Sequence, residues 1–270
     1  ITIDDGTKIY PSKNKKVKIE FIGDSITCGY GVDDEDRNHH FSTQTEDATK
    51  TYAYKTAQAL DADYSMVSCS GWGIISGYSG DGLIKDKQVM SLAYDKTGFT
   101  YNSFGKKCFL GQRLPWDFSK YKSDIVVINL GTNDASYTKH NPEKCREYEV
   151  AYVNFLKMVR QKNPDAKIIC TLGLMGAELF PNIQNAVKEY SEETGDENVF
   201  TFKLPQASVL AADWHPAEKS HQKNRNTDSV KKKSLSFYLF LPIFSCCLLT
   251  PAEPEFGQSL NLLGCGSSGK

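Results

Sequence analysis

The sequence predicts an α/β fold in which helices cover both faces of a parallel β-sheet. Buried apolar runs alternate with longer amphipathic stretches along the chain, and this alternation is typical of βαβ units with right-handed crossovers. The run at residues 124–130 is almost continuously β-branched, which indicates a strand that is buried on both faces. Ligands bind such sheets at the carboxyl ends of their strands, so the residues that follow each strand are the first candidates for function.

Turn and cap residues mark the ends of the elements. A Gly-Asp pair ends the first strand at Gly23, and Gly71 follows the second strand. Asn141 and Pro142 suit the N-cap and first turn of the longest helix, and Gly195 stops the helix after it. The strands are therefore predicted over residues 17–24, 64–70, 124–130, 167–172 and 198–204, and the helices over residues 47–61, 141–161 and 181–193.

Composition supports a folded domain and argues against several classes of protein. The chain has 270 residues, of which 40% are hydrophobic and 24% charged, and this balance excludes wholesale disorder. A net charge of −1 argues against a nucleic-acid surface built on bulk positive charge. The eight cysteines form no C-x-x-C pair and no Cys/His cluster at zinc spacing, so no metal site is expected, while one or two disulfides remain open.

The first candidate catalytic group is Ser25, in the segment Gly23-Asp24-Ser25. A serine just past a buried strand, in a tight turn, presents its hydroxyl and its own N–H at the edge of the sheet. Taken alone, it reads more simply as a serine that caps a helix. As a nucleophile, it requires a base and an oxyanion site nearby.

The segments after two further strands offer oxyanion donors. Gly71, between Cys69 and Gly73, allows close approach of the backbone and can point an N–H into a cleft. Asn133 follows the buried strand at 124–130, and its side-chain amide can donate to a developing oxyanion. The simpler alternatives are an ordinary loop at Gly71 and an Asx-turn at Asn133.

A general base is available at His215, after the fifth strand. A lone histidine is more often structural, but this one shares the sheet edge with the Gly-Asp-Ser serine. The order Ser25, Gly71, Asn133, His215 at successive strand ends supplies a nucleophile, three oxyanion donors and a base. These are the parts of an acyl-transfer site, and the G-x-S-x-G elbow of α/β-hydrolases is absent.

The four segments resemble the four blocks of the SGNH, or GDSL, hydrolase superfamily, with Ser25, Gly71, Asn133 and His215 at the namesake positions. The longer stretches 18–31, 116–118, 126–134, 213–216 and 221–223 look like those of the family-2 carbohydrate esterases. The resemblance implies a three-layer α/β/α sandwich with a flavodoxin-like central parallel sheet. It also implies a secreted enzyme that removes acetyl groups from plant polysaccharides or their sugars, without metal or cofactor.

One departure from the superfamily pattern concerns the group that orients the histidine. The superfamily places a triad aspartate three residues before its histidine, and that position is Ala212 here. The resemblance therefore implies a Ser25–His215 dyad, oriented by the Trp214 carbonyl, with Asp213 as the other possible orienting group. The sugar is expected to stack on Trp214 or Trp72. Trp116 is expected to pack in the core.

Three regions are predicted along the chain. Residues 1–16 read as the remnant or linker of an N-terminal β-sandwich, residues 17–223 as the hydrolase domain, and residues 224–270 as an atypical tail that is disordered or non-homologous. The apolar run at 235–249 is too short for a bilayer and contains Pro242, so no membrane anchor is expected. No signal peptide is recognisable in this sequence.

The predicted function is a serine esterase that deacetylates polysaccharides or oligosaccharides through an acetyl-enzyme. Two alternatives remain open at this point. One is a lipase or thioesterase of the GDSL type, which would need an apolar acyl channel. The other is a glycan-binding module without catalysis, against which an intact Ser25 and His215 argue. Oligomeric state is not readable from the sequence, and no nucleic-acid partner is expected.

Overall fold

The computed structural model describes Tyr10, residues 13–97 and residues 114–222. At its centre lies a five-stranded sheet in the order β2-β1-β3-β4-β5, and every neighbouring pair of strands is parallel. The strands are β1 (Val17–Gly23), β2 (Ala62–Ser68), β3 (Ile125–Asn129), β4 (Lys167–Leu174) and β5 (Val199–Gln206). The predicted α/β fold class is confirmed, and the strand order is that of flavodoxin-like sheets.

Six helices in the described residues surround the sheet. They are α1 (Ser25–Cys28), α2 (Tyr52–Ala59), α3 (Thr132–Thr138), α4 (Pro142–Lys162), α5 (Phe180–Thr194) and α6 (Glu218–His221). Three of them, α2, α4 and α5, fall close to the predicted ranges. The helix expected over residues 47–61 is divided, because Thr51 is extended between a 3₁₀ turn at Ala48–Lys50 and α2. A short antiparallel pair, β6 (Leu210–Ala211) and β7 (His215–Pro216), flanks a 3₁₀ turn at Ala212–Trp214.

Two hydrophobic cores, one on each face of the sheet, make the fold three-layered. Along β3, Val126 and Ile128 contribute to the core beneath α4 and α5, and Ile125 and Val127 to the core beneath α2. All five residues of β3 are buried. Alternation of side chains across a strand that helices cover on both sides explains why this segment is apolar throughout.

The register of the central strands brings their carboxyl ends to one edge. Gly23 of β1 lies opposite Ser68 of β2 and Asn129 of β3. The loops that follow these three strands therefore leave the sheet side by side. Ser25 and the loop that contains Gly71 meet at this edge for that reason.

A buried histidine holds the last described helix against the rest of the domain. His221 is 3% exposed, and its Nδ1 accepts a hydrogen bond from the Tyr52 backbone N–H at 3.1 Å. The Tyr52 hydroxyl lies 2.9 Å from Thr27 Oγ1 on α1. Burial, together with the nearby Lys55, lowers the pKa of His221 to about 3. The neutral imidazole is therefore the form that the fold requires.

Protonation of His221 is expected to weaken the fold in mild acid. Because the folded-state pKa lies below the ordinary value, the unfolded chain binds the proton first, and stability falls as the pH drops below about 6.5. We expect about 1.4 kcal/mol of lost unfolding free energy for each pH unit in that range. His221→Asn keeps a side-chain acceptor but does not titrate. The wild type should therefore lose stability relative to this variant between pH 7 and pH 5 in urea titrations. A constant difference would contradict the assignment.

Several predictions fall partly or wholly outside the described residues. The tail predicted over residues 224–270 lies wholly outside them, and so does most of the predicted remnant at 1–16. Within the described ranges, the cysteines are free thiols: Cys28, Cys69, Cys145 and Cys170. No helix in the same ranges combines the length and the apolar character needed to cross a membrane.

Candidate active site

The turn that carries Ser25 is built by the residues that end β1. The carboxylate of Asp24, the N-cap of α1, accepts the Ile26 N–H at 3.0 Å. Ser25 is the first residue of α1 and is 6% exposed. A Cβ placed on Gly23 would lie 2.0 Å from Thr27 Oγ1, so only glycine fits there. The Asp24 cap and the tight packing of Gly23 against the Thr27 side chain thus fix the short Gly-Asp-Ser segment.

Ser25 and His215 form a hydrogen-bonded pair. The Ser25 Oγ lies 2.9 Å from His215 Nε2, although the residues are 190 positions apart in sequence. His215 Nδ1 lies 3.2 Å from the Ala212 carbonyl and 3.1 Å from the Asp213 carbonyl. Carbonyl oxygens can only accept, so this geometry assigns the ring proton to Nδ1 and leaves Nε2 to accept the serine proton. Burial lowers the pKa of His215, which keeps the ring neutral and basic near pH 7.

The carbonyls that orient His215 differ from the one expected. Nδ1 meets the carbonyls of Ala212 and Asp213, and the expectation of a Trp214 carbonyl is corrected accordingly. The Asp213 carboxylate does not reach the imidazole nitrogen. It accepts instead from the Tyr30 hydroxyl at 2.6 Å and the Phe41 N–H at 3.0 Å. The reason is the left-handed backbone at Asp213, which has a φ of 48°.

Two backbone N–H groups are free to receive an oxyanion. Gly71 has a φ of 81°, a conformation that L side chains rarely adopt. Its carbonyl accepts the Tyr78 N–H at 2.8 Å, which holds the loop in place. Within the described part of the chain, neither the Gly71 N–H nor the Ser25 N–H has a protein acceptor. Both residues follow strands that end at the same edge of the sheet.

Asn133, the third expected donor, lies in the same buried region and already has protein partners. It is 6% exposed at the start of α3, and its amide donates to the Trp72 carbonyl at 2.8 Å. The same amide nitrogen lies 3.2 Å from the Asp24 carboxylate, in a longer and weaker contact. One amide hydrogen is thus committed to the loop after β2, and the other is shared with Asp24 in the turn that carries Ser25.

Two buried carboxyl groups surround this amide. Burial raises the pKa of Asp24 to about 7, well above the ordinary value of an aspartate. Burial also raises the pKa of Asp134 to about 6, against three backbone donors that lower it. Those donors are the N–H groups of Ile74, Ile75 and Ser76. Asp134 therefore anchors the loop that follows Gly71.

The tryptophans are distributed differently from the expectation. Trp214 is 53% exposed beside His215, and the Arg37 guanidinium lies 4.2 Å from the centre of its ring. Trp72 is 4% exposed and packs in the core, so it cannot offer a face to a sugar and that prediction is corrected. Trp116, expected in the core, is 36% exposed.

Tyr30 is a site residue that sequence reasoning missed. Its ring stacks on the imidazole of His215, with ring centres 3.9 Å apart and planes inclined by 21°. The sequence marks this residue only by its place between Gly29 and Gly31, directly after α1. Nothing local distinguishes this tyrosine from a surface turn residue, because its partner is contributed by the other end of the domain.

Comparison with known families decides the affiliation of the chain. Residues 21–223 match the model of the GDSL-like lipase/acylhydrolase family, and this match includes Ser25, Gly71, Asn133 and His215. The chain belongs to this family. The predicted resemblance to GDSL hydrolases is therefore confirmed, together with the three-layer fold.

Relatives of this GDSL-family chain include carbohydrate esterases. It is 36% identical over 227 residues to a cellulase/esterase, CelE, of Acetivibrio thermocellus, covering 80% of this chain and 25% of the relative. It is 31% identical over 229 residues to an acetylxylan esterase/glucomannan deacetylase of Cellvibrio japonicus, covering 81% and 59%. The chain thus spans between a quarter and about three fifths of the length of these curated relatives.

Solved structures of carbohydrate esterases are also similar to this chain. An acetyl xylan esterase, Est2A, of the rumen bacterium Butyrivibrio proteoclasticus has a TM-score of 0.69 at 30% identity, covering 78% of this chain and 62% of that one. A family-two carbohydrate esterase of Clostridium thermocellum, solved in complex with cellohexaose, has a TM-score of 0.62 at 33% identity, covering 79% and 62%. This GDSL-family chain is therefore similar to family-2 carbohydrate esterases in both sequence and fold.

Proposed function

We propose that the protein is a serine esterase that removes O-acetyl groups from plant cell-wall polysaccharides or their sugars. The observation that carries the proposal is the 2.9 Å contact between Ser25 Oγ and the basic Nε2 of His215, at a sheet edge that also presents two free backbone N–H groups. The deacetylases among its relatives support acetylated glycans as the substrate class. Secretion is part of the proposal, since such polymers lie outside cells.

Acylation begins when His215 Nε2 takes the hydroxyl proton of Ser25. The Ser25 oxygen attacks the acetyl carbonyl carbon, and the carbonyl π-bond electrons move onto oxygen. The N–H groups of Ser25 and Gly71 donate to this oxyanion, and Asn133 adds an amide hydrogen when its contact with Asp24 is exchanged for the substrate. Protonated His215 then gives its proton to the departing sugar oxygen as the ester bond breaks.

Deacylation repeats these steps with water in place of the sugar. His215 removes a proton from the water, which attacks the acetyl carbon attached to Ser25. The tetrahedral intermediate collapses, acetate leaves, and the proton returns to Ser25 Oγ. The carbonyls of Ala212 and Asp213 hold the imidazolium through Nδ1–H during both half-reactions, in place of a triad carboxylate. Every step uses groups that the chain itself supplies.

A short acyl group fits the site better than a long one. Ser25 is 6% exposed and its Oγ lies 2.9 Å from the half-buried imidazole of His215, so little open space adjoins the nucleophile. Trp214 directly precedes His215 in the sequence, and its 53% exposed ring suits the apolar face of a sugar.

Acyl-chain preference provides the experiment that tests the proposal. Acetate release is measured from acetylated xylan and acetylated oligosaccharides, and kcat/KM is compared for acetyl and octanoyl model esters. Forcing extra methylenes into a close-packed site costs about 1–3 kcal/mol, so we expect the octanoyl ester to react about tenfold or more slowly. Equal or faster octanoyl hydrolysis would favour a lipase or thioesterase. Oligosaccharide binding without acetate release would instead indicate a non-catalytic glycan-binding module.

A further inference from the structure

The turn that carries His215 adopts an unfavourable backbone conformation. Asp213 and Trp214 are consecutive non-glycine residues with φ values of 48° and 63°. L side chains rarely adopt this left-handed region, and such residues persist only where the surroundings hold them. The conformation matters for function, because it aims the carbonyls of Ala212 and Asp213 at Nδ1 of His215.

The segment from Tyr30 to Phe41 holds this turn. It does so through hydrogen bonds to both the backbone and the carboxylate of Asp213. The Asp213 N–H donates to the His39 carbonyl at 2.8 Å, and the Trp214 N–H donates to the Arg37 carbonyl at 3.3 Å. The contacts to the Asp213 carboxylate come from Tyr30 Oη at 2.6 Å, His40 Nδ1 at 2.9 Å and the Phe41 N–H at 3.0 Å.

The same segment fills the place beside Ala212, where the superfamily pattern expects an acid. Ala212 is fully buried, and a Cβ placed on Gly31 would lie 2.7 Å from the Ala212 Cβ. The backbone of the segment therefore packs directly on the alanine, and a carboxylate at this position has no room on that side. Tyr30, the residue before Gly31, covers one face of the imidazole instead.

We infer that Tyr30 is a positioning residue for the catalytic histidine. Its hydroxyl fixes the Asp213 turn, and its ring fixes the plane of the His215 imidazole. The two contacts together support the Ala212 and Asp213 carbonyls, which orient the imidazole where the triad acid is missing. This inference rests on the proposed function, because it assigns a role within the same Ser25–His215 pair.

Tyr30 contributes to both the geometry and the environment of His215. The 3.9 Å stack excludes water from one face of the ring, and burial is the largest influence on the lowered pKa of His215. The other titratable groups near this ring are Asp213 on its own turn and His221 on α6. His40 influences the His215 ring only indirectly, through its contact with the Asp213 carboxylate.

Two substitutions separate the hydroxyl from the ring. Tyr30→Phe keeps the stack and loses the bond to Asp213, whereas Tyr30→Ala loses both. Because small misplacements of a catalytic group cost up to about 100-fold in rate, we expect kcat to fall about threefold to tenfold in Tyr30→Phe and about 100-fold in Tyr30→Ala. KM should change little in either variant. The acid limb of the kcat/KM pH profile should move to higher pH in Tyr30→Ala, because water then reaches the imidazolium.

NMR titration of His215 in a Ser25→Ala background gives a readout that does not depend on catalysis. We expect Tyr30→Ala to raise the His215 midpoint and Tyr30→Phe to leave it nearly unchanged. Tyr64→Phe serves as the matched control, since Tyr64 lies on β2, is 42% exposed and packs on Tyr54. It should match the wild type in both kinetics and titration.

The outcomes separate this inference from the proposed function. If the wild type releases acetate but Tyr30→Ala keeps its kcat and its His215 midpoint, the positioning role is refuted while the esterase assignment stands. If the wild type releases no acetate, the proposed function fails, and the NMR midpoints still decide whether Tyr30 controls His215. If Tyr30→Ala does not fold, the kcat of Tyr30→Phe decides, and a kcat equal to that of the wild type refutes the role.

Discussion

Replacing Ser25 by alanine is expected to reduce acetate release by about 10⁴-fold or more. The substitution removes the only atom that can form the acetyl-enzyme, while His215 and the backbone donors stay in place. The residual rate should come from oxyanion stabilisation and substrate binding alone. Because the lost group acts in the chemical step, kcat should fall while KM for an acetylated oligosaccharide stays close to that of the wild type.

A second serine variant controls for effects of a serine-to-alanine substitution that do not involve the nucleophile. Ser91 is exposed and lies in the 3₁₀ turn at Met90–Leu92, far along the chain from the nucleophile. Ser91→Ala should release acetate at the wild-type rate, and both variants should show the same far-UV circular dichroism. Acetate release by a folded Ser25→Ala protein at more than a few per cent of the wild-type rate would refute the nucleophile.

Replacing Asn133 by alanine is expected to lower kcat by about 10²–10³-fold, the usual effect of removing one oxyanion donor. The amide nitrogen has a committed bond to the Trp72 carbonyl at 2.8 Å and a weaker contact with Asp24 at 3.2 Å. A developing oxyanion can displace the weaker contact, the one with Asp24. The reason is that a negative charge localised on one oxygen accepts a hydrogen bond better than a carboxylate that shares its charge over two oxygens.

The same substitution also removes a structural tie between the loop after β2 and α3, so melting temperature should be measured alongside kinetics. Asn182→Ala is a suitable control, because the Asn182 amide on α5 donates to the Glu149 carboxylate on α4 and takes no part in the proposed site. We expect both variants to lose some stability but only Asn133→Ala to lose kcat. A rise in KM with unchanged kcat would show that Asn133 binds substrate without stabilising the transition state.

The fold could be predicted from local patterns, because a strand that is buried on both faces consists almost entirely of apolar residues. In β3, Val126 and Ile128 face one core while Ile125 and Val127 face the other, so all four residues are apolar. The polar groups could also be assigned to one edge, since parallel strands bring their carboxyl ends together. Ser25 follows from this rule at the sequence level alone.

The orientation of the site was not predictable in the same way. The left-handed conformation of Asp213 depends on acceptors and donors that lie about 170–180 residues earlier in the chain, such as Tyr30 and Phe41. No local propensity favours it, and the carbonyls that meet His215 were therefore assigned to the wrong residue. Trp72 was misjudged for a related reason: an aromatic residue after a strand can turn inward, and only the packing of the loop decides.

The central claim is that Ser25 carries the acetyl group between the two half-reactions. Rapid acid quenching of the wild-type protein during turnover of an acetyl ester, followed by peptide mass spectrometry, tests it most directly. The account predicts one acetyl group on the peptide that contains Ser25, and none on that peptide in the Ser25→Ala variant. An acetyl group trapped during turnover on another residue, with the Ser25 peptide unmodified, would contradict it.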